Sequence, residues 1–316
     1  PRSPVLGLFR LLAKVLNGHM ESKFIDWLKS SLGVQTDTRP GIGDDAAVFT
    51  TSAGIKQLVT SDSLVDLVHF DVASTPLNLI GRKCVAASIS DIAAMCGSPT
   101  YVIISVVAPK SFSLDDLKDL YEGMISISST YDCSIVGGDF ISHAGPLTIN
   151  VTVIGESQPQ QLRYRYGTEP NDRIFVSGAL GGSSHGHHLT FEPRVELGLI
   201  LGNNPAVHSV TDITDGLLID LHSILIAGDY GATLIRANIP TCEHLADEET
   251  AIEAALYDGE DFELLFTASP QYAAHIKNVP NNILITEIGY VTQDTKYVLL
   301  DEAGIAKPLE IRGYSH

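Results

Sequence analysis

A series of acidic clusters in this chain combines carboxylates with glycine, serine or threonine in the way that hard cations require. The first is Gly41-Ile42-Gly43-Asp44-Asp45-Ala46-Ala47-Val48-Phe49, a glycine turn that delivers two adjacent carboxylates into an apolar run. Thr60, Ser61 and Asp62 then close the stretch Lys56 to Ser61 with two hydroxyls and a carboxylate, an oxygen set suited to Mg²⁺ or, equally, a capped strand end. Asp91 lies in the apolar stripe Ile80, Cys84, Ala87, Asp91, Met95, where a carboxylate must be paired, hydrogen-bonded or metal-bound. A distant salt bridge or a capping role is the alternative there. Gly137-Gly138-Asp139 sets glycine-freed amides beside a carboxylate, suiting a phosphate and its metal, or forms a plain turn. Asp212, Thr214 and Asp215 stand where a helix begins, which the helix dipole also explains, and Gly259-Glu260-Asp261 repeats the glycine-carboxylate entry.

If these groups converge, carboxylates about 4 Å apart repel by roughly 4 kcal/mol per pair at an effective dielectric of 20, and divalent cations would offset that. Mg²⁺ is usually shared between one or two carboxylates and substrate phosphates, so the pattern points to a site for several metal ions and a polyphosphate. The 38 acidic against 20 basic residues, a net charge of -18, argue against a nucleic-acid surface. Phosphate-loop signatures are missing too: there is no G-x-x-x-x-G-K-[ST] and no clean G-x-G-x-x-G followed by an acidic residue. The four cysteines, Cys84, Cys96, Cys133 and Cys242, lack zinc spacing or a disulfide framework, as expected of a reduced, cytoplasmic protein. His185, His187 and His188 sit in a Gly/Ser-rich loop, more simply read as solvated than as a metal site.

The elements that must position these groups follow from the apolar periodicity. Residues 23–32 read as a short amphipathic helix packing through Phe24, Trp27, Leu28 and Leu32. Residues 77–96 form the clearest helix, and 114–131 a second one. Thr100 to Val107 reads as a fully buried strand, Ser134 to Val136 as a strand ending at the GGD, and Leu147 to Gly155 as an alternating strand. Further strands are expected over 172–178, 231–237 and 259–266, and a helix over 210–225. With 316 residues, 44% of them hydrophobic, the chain is expected to form two domains, 20–156 and 157–316, divided at the polar segment Glu156 to Gln161. Val5 to Leu16 is too short and too charged to span a bilayer. Gly18-His19-Met20 matches a cloning-site remnant, so residues 1–19 are expected to be a non-native or flexible extension, with Met20 the native start.

GIGDDAAVF, TSDSLVDLVHF, SISDIAAM, VGGDF, VSGALGG, DITDGLLIDL and DGEDFELLF together resemble, in order and spacing, the thiamine-monophosphate kinase family, over Ser22 to His316. The wider superfamily includes aminoimidazole ribonucleotide synthetase and selenide water dikinase. The resemblance implies an α/β (α+β) two-domain fold like that of aminoimidazole ribonucleotide synthetase, with an N-terminal sheet forming a homodimer and a C-terminal α/β domain. It implies phosphorylation of thiamine monophosphate by ATP to thiamine diphosphate, with several Mg²⁺ ions as cofactors. Position by position, Asp45, Thr60, Ser61, Asp62, Asp91, Asp139, Asp212 and Asp215 resemble the metal ligands. Gly138, Asp139, Arg165 and Thr214 resemble nucleotide contacts, and His69 and Glu260 substrate contacts. Catalysis would fall to Asp45, Asp91, Asp139, Asp212 and Arg165, with His69 orienting the substrate ring rather than acting as a base. Three positions depart from the family pattern: Phe140 follows the GGD in place of Thr, only Glu192-Pro193-Arg194 remains of an R-P-x-P-R segment, and Ile311 stands where many members stack an aromatic on the substrate. The alternatives are another ATP-using member of the superfamily acting on a different small anion, and a metal-dependent nucleotide binder without turnover.

Overall fold

The computed structural model describes residues 23–25, 27–28, 30–32, 42–272, 276 and 283–314. Gly41, Met20 and the segment before it therefore lie outside the described residues. The described part of 23–32 is helical, but Phe24 and Trp27 are more than half exposed and stack on each other with ring centroids 5.9 Å apart. Their apolar face does not pack into the core as its periodicity predicts.

The first layer is a five-stranded sheet in the order β1-β2-β5-β3-β4: β1 (Ala47–Thr50), β2 (Lys56–Val65), β3 (Ser98–Pro109), β4 (Ser134–His143) and β5 (Thr148–Ser157). Only β3 and β4 run parallel. Helices α1 (Leu77–Ala94) and α2 (Leu114–Thr130) belong to the same core. They cross closely because a Cβ on Gly123 would fall 1.7 Å from the Asn78 carbonyl oxygen, and one on Gly81 2.0 Å from that of Leu120. Ser113 and Asp116 form a reciprocal capping box that fixes the start of α2.

Strand β3 is longer than its apolar run suggests and is buried on one face only. Val102, Ile104, Val106 and Ala108 are covered, whereas Tyr101 is 48% exposed and Ile103 38%. An all-apolar run thus serves an inner face and an outer face that carries Tyr101, Ile103 and the exposed Ile141 of β4.

The second layer is a seven-stranded sheet in the order β12-β11-β8-β10-β6-β9-β7: β6 (Arg173–Ser177), β7 (Val207–Asp212), β8 (Gly231–Ile235), β9 (Leu264–Ala268), β10 (Ile285–Thr292), β11 (Tyr297–Leu300) and β12 (Ala306–Pro308). Helices α3 (Val195–Gly202), α4 (Leu217–Leu225) and α5 (Glu248–Tyr257) accompany it. The fold class is thus α/β (α+β), with two mixed sheets. No described helix is long and apolar enough to cross a membrane.

Several boundaries move relative to the sequence reading. Asp62 lies inside β2, and Gly137-Gly138-Asp139 inside β4, because pairing with β5 and β3 continues past the polar residues. Residues 210–212 finish strand β7 instead of opening a helix. Gly216, at φ 103°, separates that strand from α4 at Leu217. Strand β9 starts at Leu264 and not at Gly259, since Glu260 (φ 66°) and Phe262 (φ 51°) take left-handed backbone angles that no strand accommodates.

Candidate active site

Helix α1 is the axis of the site. It packs against β2 on one side and β7 on the other, and the segment Ser88-Ile89-Ser90-Asp91 reaches both. Ser88 Oγ donates to Asp62 Oδ2 at 2.6 Å, Ser90 Oγ to Asp212 Oδ2 at 2.5 Å, and the Thr60 hydroxyl donates to Asp91 Oδ2. Strand alternation explains why Thr60 and Asp62 share this helix-facing side of β2.

Asp45 enters from the turn before β1, and it meets Arg165, in the segment between β5 and β6, and Thr211 of the second sheet. Arg165 Nε donates to Asp45 Oδ1 at 3.1 Å, its Nη2 makes the ion pair with the same oxygen, and Thr211 Oγ1 donates to it at 3.1 Å. Asp44 accepts the backbone N–H of Arg165. Asp45, Asp91 and Asp212 each offer a carboxylate oxygen, and these oxygens lie within 4.8 Å of one another.

Two oxygens of this triad, Asp45 Oδ2 and Asp212 Oδ1, are buried with no hydrogen-bond partner among the described residues. Leaving an ionised oxygen so placed is costly. Burial, followed by the charge of Asp45, pushes Asp212 up to about 7. Burial, then the charges of Asp62, Asp212 and Asp45, raises Asp91 well above the usual carboxylate range. Asp44 is pushed to about 7 by burial and by Asp45, and burial raises Asp62. A hard divalent cation satisfies all of these conditions, because it supplies the missing partner to the bare oxygens and cancels the mutual repulsion. The residues present therefore fit Mg²⁺.

The remaining candidates divide around this core. Ser61 projects to the opposite face of the sheet, where its hydroxyl pairs with that of Thr152 at 3.0 Å. Asp139 is exposed, pairs in register with Ser105, and accepts the N–H of Phe140 at 2.9 Å. Neither belongs to the three-carboxylate cluster, so the expected single convergence of all the acidic groups narrows to Asp45, Asp91 and Asp212, with Asp62 and Thr60 beside them. Gly138 has a packing reason for its identity: a Cβ there would lie 1.7 Å from the Ile104 carbonyl oxygen.

Thr214 and Asp215 form the loop after β7, where both backbone N–H groups donate to buried Asp220 Oδ2 at 3.0 and 3.1 Å. This loop meets the Glu260 turn through the Glu260 N–H to Thr214 carbonyl bond of 2.8 Å, and Tyr314 through the Tyr314 N–H to Asp215 carbonyl bond of 2.8 Å. His69 Nδ1 accepts the N–H of Val65 at 3.0 Å, so its proton resides on Nε2. Ile311 is 41% exposed.

Sequence reasoning missed Lys83, Ser88, Ser90 and Thr211, which reach the named residues from positions distant in the chain, and Asp220, which holds the adjoining Thr214-Asp215 loop. Only the serines flanking Asp91 carried a signal, in the hydroxyls of SISD.

Two family models match this chain, the N-terminal domain of AIR synthase related proteins over residues 43–157 and the C-terminal domain over 167–302. A thiamine-monophosphate kinase from Rhodopirellula baltica is 35% identical over 288 residues, covering 87% of this chain and 90% of its own. The chain belongs to the thiamine-monophosphate kinase family. The Bacillus subtilis thiamine-monophosphate kinase is 33% identical, with coverage of 87% and 93%. Among solved structures, AaThiL complexed with AMPPCP and TMP superposes with a TM-score of 0.79 at 26% identity, covering 93% of this chain and 96% of that one. Membership in this family agrees with the two-sheet architecture.

Proposed function

We propose that this protein transfers the γ-phosphoryl group of ATP to the phosphate of thiamine monophosphate, giving thiamine diphosphate and ADP. The observation that carries the reading is the carboxylate triad with its two bare, buried oxygens in a chain of this family. AaThiL, captured with an ATP analogue and TMP, supplies the matching pair of ligands.

The chemistry needs no protein base. The acceptor is a phosphate whose second pKa is about 6, already ionised near neutral pH. The obstacle is repulsion between two anions, which positioning and counter-charge must overcome. Asp45, Asp91 and Asp212 would hold Mg²⁺, with Asp62 and Thr60 adjacent, and the ion would supply charge neutralisation to the phosphate oxygens. Ser90, Thr60 and Thr211 each fix one carboxylate by a hydroxyl donor, so the ligand oxygens are oriented before any phosphate arrives. Arg165 is anchored through Nε and Nη2 to Asp45 while its side chain stays 25% exposed, which suits a guanidinium that meets anionic charge. Ser61, Asp139 and Asp215 are proposed as further metal ligands, and Gly138, Asp139 and Thr214 as nucleotide contacts. Of these, Ser61 and Asp139 would act from the outer face of the first sheet. His69 and Glu260 are proposed to contact the thiamine portion, with Ile311 at its edge.

The test is ADP release from Mg-ATP with and without thiamine monophosphate, with thiamine diphosphate followed in parallel. The expected result is ADP matched one to one by thiamine diphosphate. ADP release that ignores thiamine monophosphate, or none at all, would remove the assignment in favour of a different small-anion acceptor or a nucleotide binder.

We also propose that the outer face of the first sheet meets a second copy of this chain. Tyr101, Ile103 and Ile141 leave an apolar surface there that a single chain exposes. Replacing Ile103 with Asp is expected to shift the sedimentation coefficient from dimer to monomer. An unchanged dimer would sink the assignment of this face.

A further inference from the structure

Lys83 is the one fully buried lysine among the described residues, with a relative exposure of 0%, and lysines are rarely buried unless paired. It lies two turns before Asp91 on α1, too far along the helix to serve the carboxylate triad. Its Nζ donates instead to Glu260 Oε1 and to the His69 carbonyl, each at 2.6 Å. One ammonium thus ties together the two elements proposed to contact the thiamine portion, one from each layer of the fold.

The Glu260 turn has every mark of a fixed element. Glu260 and Phe262 adopt left-handed backbone angles, and each is held there by a 2.8 Å bond from its N–H, to the carbonyls of Thr214 and Ile213 respectively. Ser183 Oγ donates to the Glu260 carbonyl at 2.6 Å, and the N–H of Gly181 donates to buried Asp261. Tyr314 closes the turn from the C-terminal side, with its hydroxyl on the Val68 carbonyl at 3.3 Å. The backbone is therefore determined without Lys83, and what Lys83 adds is control of the Glu260 carboxylate. That side chain keeps 23% of its surface open while one oxygen is held from beneath. A carboxylate so held recognises an N–H donor or a cationic ring.

We propose that Lys83 is a positioning residue for substrate selection, acting through Glu260 and not on the phosphates. This rests on the thiamine-monophosphate reading above. A purely architectural brace would affect stability and both substrates alike, whereas a positioning role is confined to one substrate and vanishes when Glu260 is already removed.

The experiment compares wild type, Lys83→Met, Glu260→Gln and the double variant by steady-state kinetics, varying thiamine monophosphate and ATP separately, with thermal melts alongside. Lys83→Met is expected to raise KM for thiamine monophosphate about tenfold or more, in the range seen for outer-shell orienting groups. KM for ATP should stay within about twofold, and Lys83→Met should add no further loss on the Glu260→Gln background. Equal rises in both KM values, no change in either, or an additive double variant would overturn the role. If Lys83→Met alone does not fold, the double variant removes both charges together. Its KM for thiamine monophosphate should then equal that of Glu260→Gln, and a higher value would overturn the proposal. A wild type that makes no thiamine diphosphate overturns the substrate reading and this role with it, a result distinct from failure of the Lys83 variant alone.

Discussion

Replacing Asp91 with Asn is expected to lower kcat for thiamine diphosphate formation by about 10³-fold or more while raising the melting temperature of the metal-free protein. The two effects have one cause. Asp91 sits among Asp62, Asp212 and Asp45, whose charges act with burial to raise its pKa well above the carboxylate range. An amide keeps the size of the side chain and can still accept the Thr60 hydroxyl. It removes a group that the metal-free fold must either keep protonated or hold charged against its neighbours, so the fold gains stability at neutral pH. The same change removes a hard anionic ligand, so Mg²⁺ and the phosphates it would clamp lose their anchor. Single-turnover rates and melts in EDTA check the pair of outcomes. A variant that keeps more than about a tenth of the activity would take Asp91 out of the ligand set. A variant that melts lower in EDTA would show that the carboxylate serves packing.

Asp91 also shows what the sequence makes legible. Its place in an apolar stripe required a partner, and the helix that carries it was readable from local periodicity alone. The partners were not, because Thr60 on β2, Asp45 before β1 and Asp212 on β7 are brought to it by two different sheets. The strand ends failed for a related reason. Asp62 and Gly137-Gly138-Asp139 look like terminators because polar and glycine residues usually end a strand, yet here cross-strand pairing carries β2 and β4 through them. Lys83 was invisible because a basic residue on a helix normally belongs to the solvent side. Only the arrival of Glu260, 177 residues later, explains its burial. The outer face of β3 was hidden by its own hydrophobicity, since an apolar run cannot say whether its second face meets this chain or another.

The metal-free protein is expected to lose stability as pH rises from about 4 to 7, and Mg²⁺ is expected to restore it most strongly above that window. Burial and the charge of Asp45 push Asp212 from 3.8 to about 7, and its relative exposure is 0%. Between those two values the folded chain keeps a proton that the unfolded chain has lost. Stability therefore falls with increasing pH across the window, and the cost is complete above the folded value. At 1.36 kcal/mol for each pH unit the cost is on the order of 4 kcal/mol for this group. Asp91 and Asp62 add in the same direction. The half-buried imidazoles of His188 and His222, lowered by that partial burial, work the opposite way, because they cost stability as pH falls. Asp212→Asn separates the contributions: at constant ionic strength it should make the decline seen in EDTA shallower, leaving the part due to Asp91 and Asp62, and leave the histidine limb intact. Added Mg²⁺ at about 100 times its dissociation constant should return roughly 2.7 kcal/mol at pH 8, several degrees in Tm, and much less at pH 5, where protons compete for the same oxygens. A melting temperature in EDTA that is flat or rises over this range, or a Mg²⁺ response equal at both pH values, would mean that the three carboxylates do not share one ionisable, cation-seeking site.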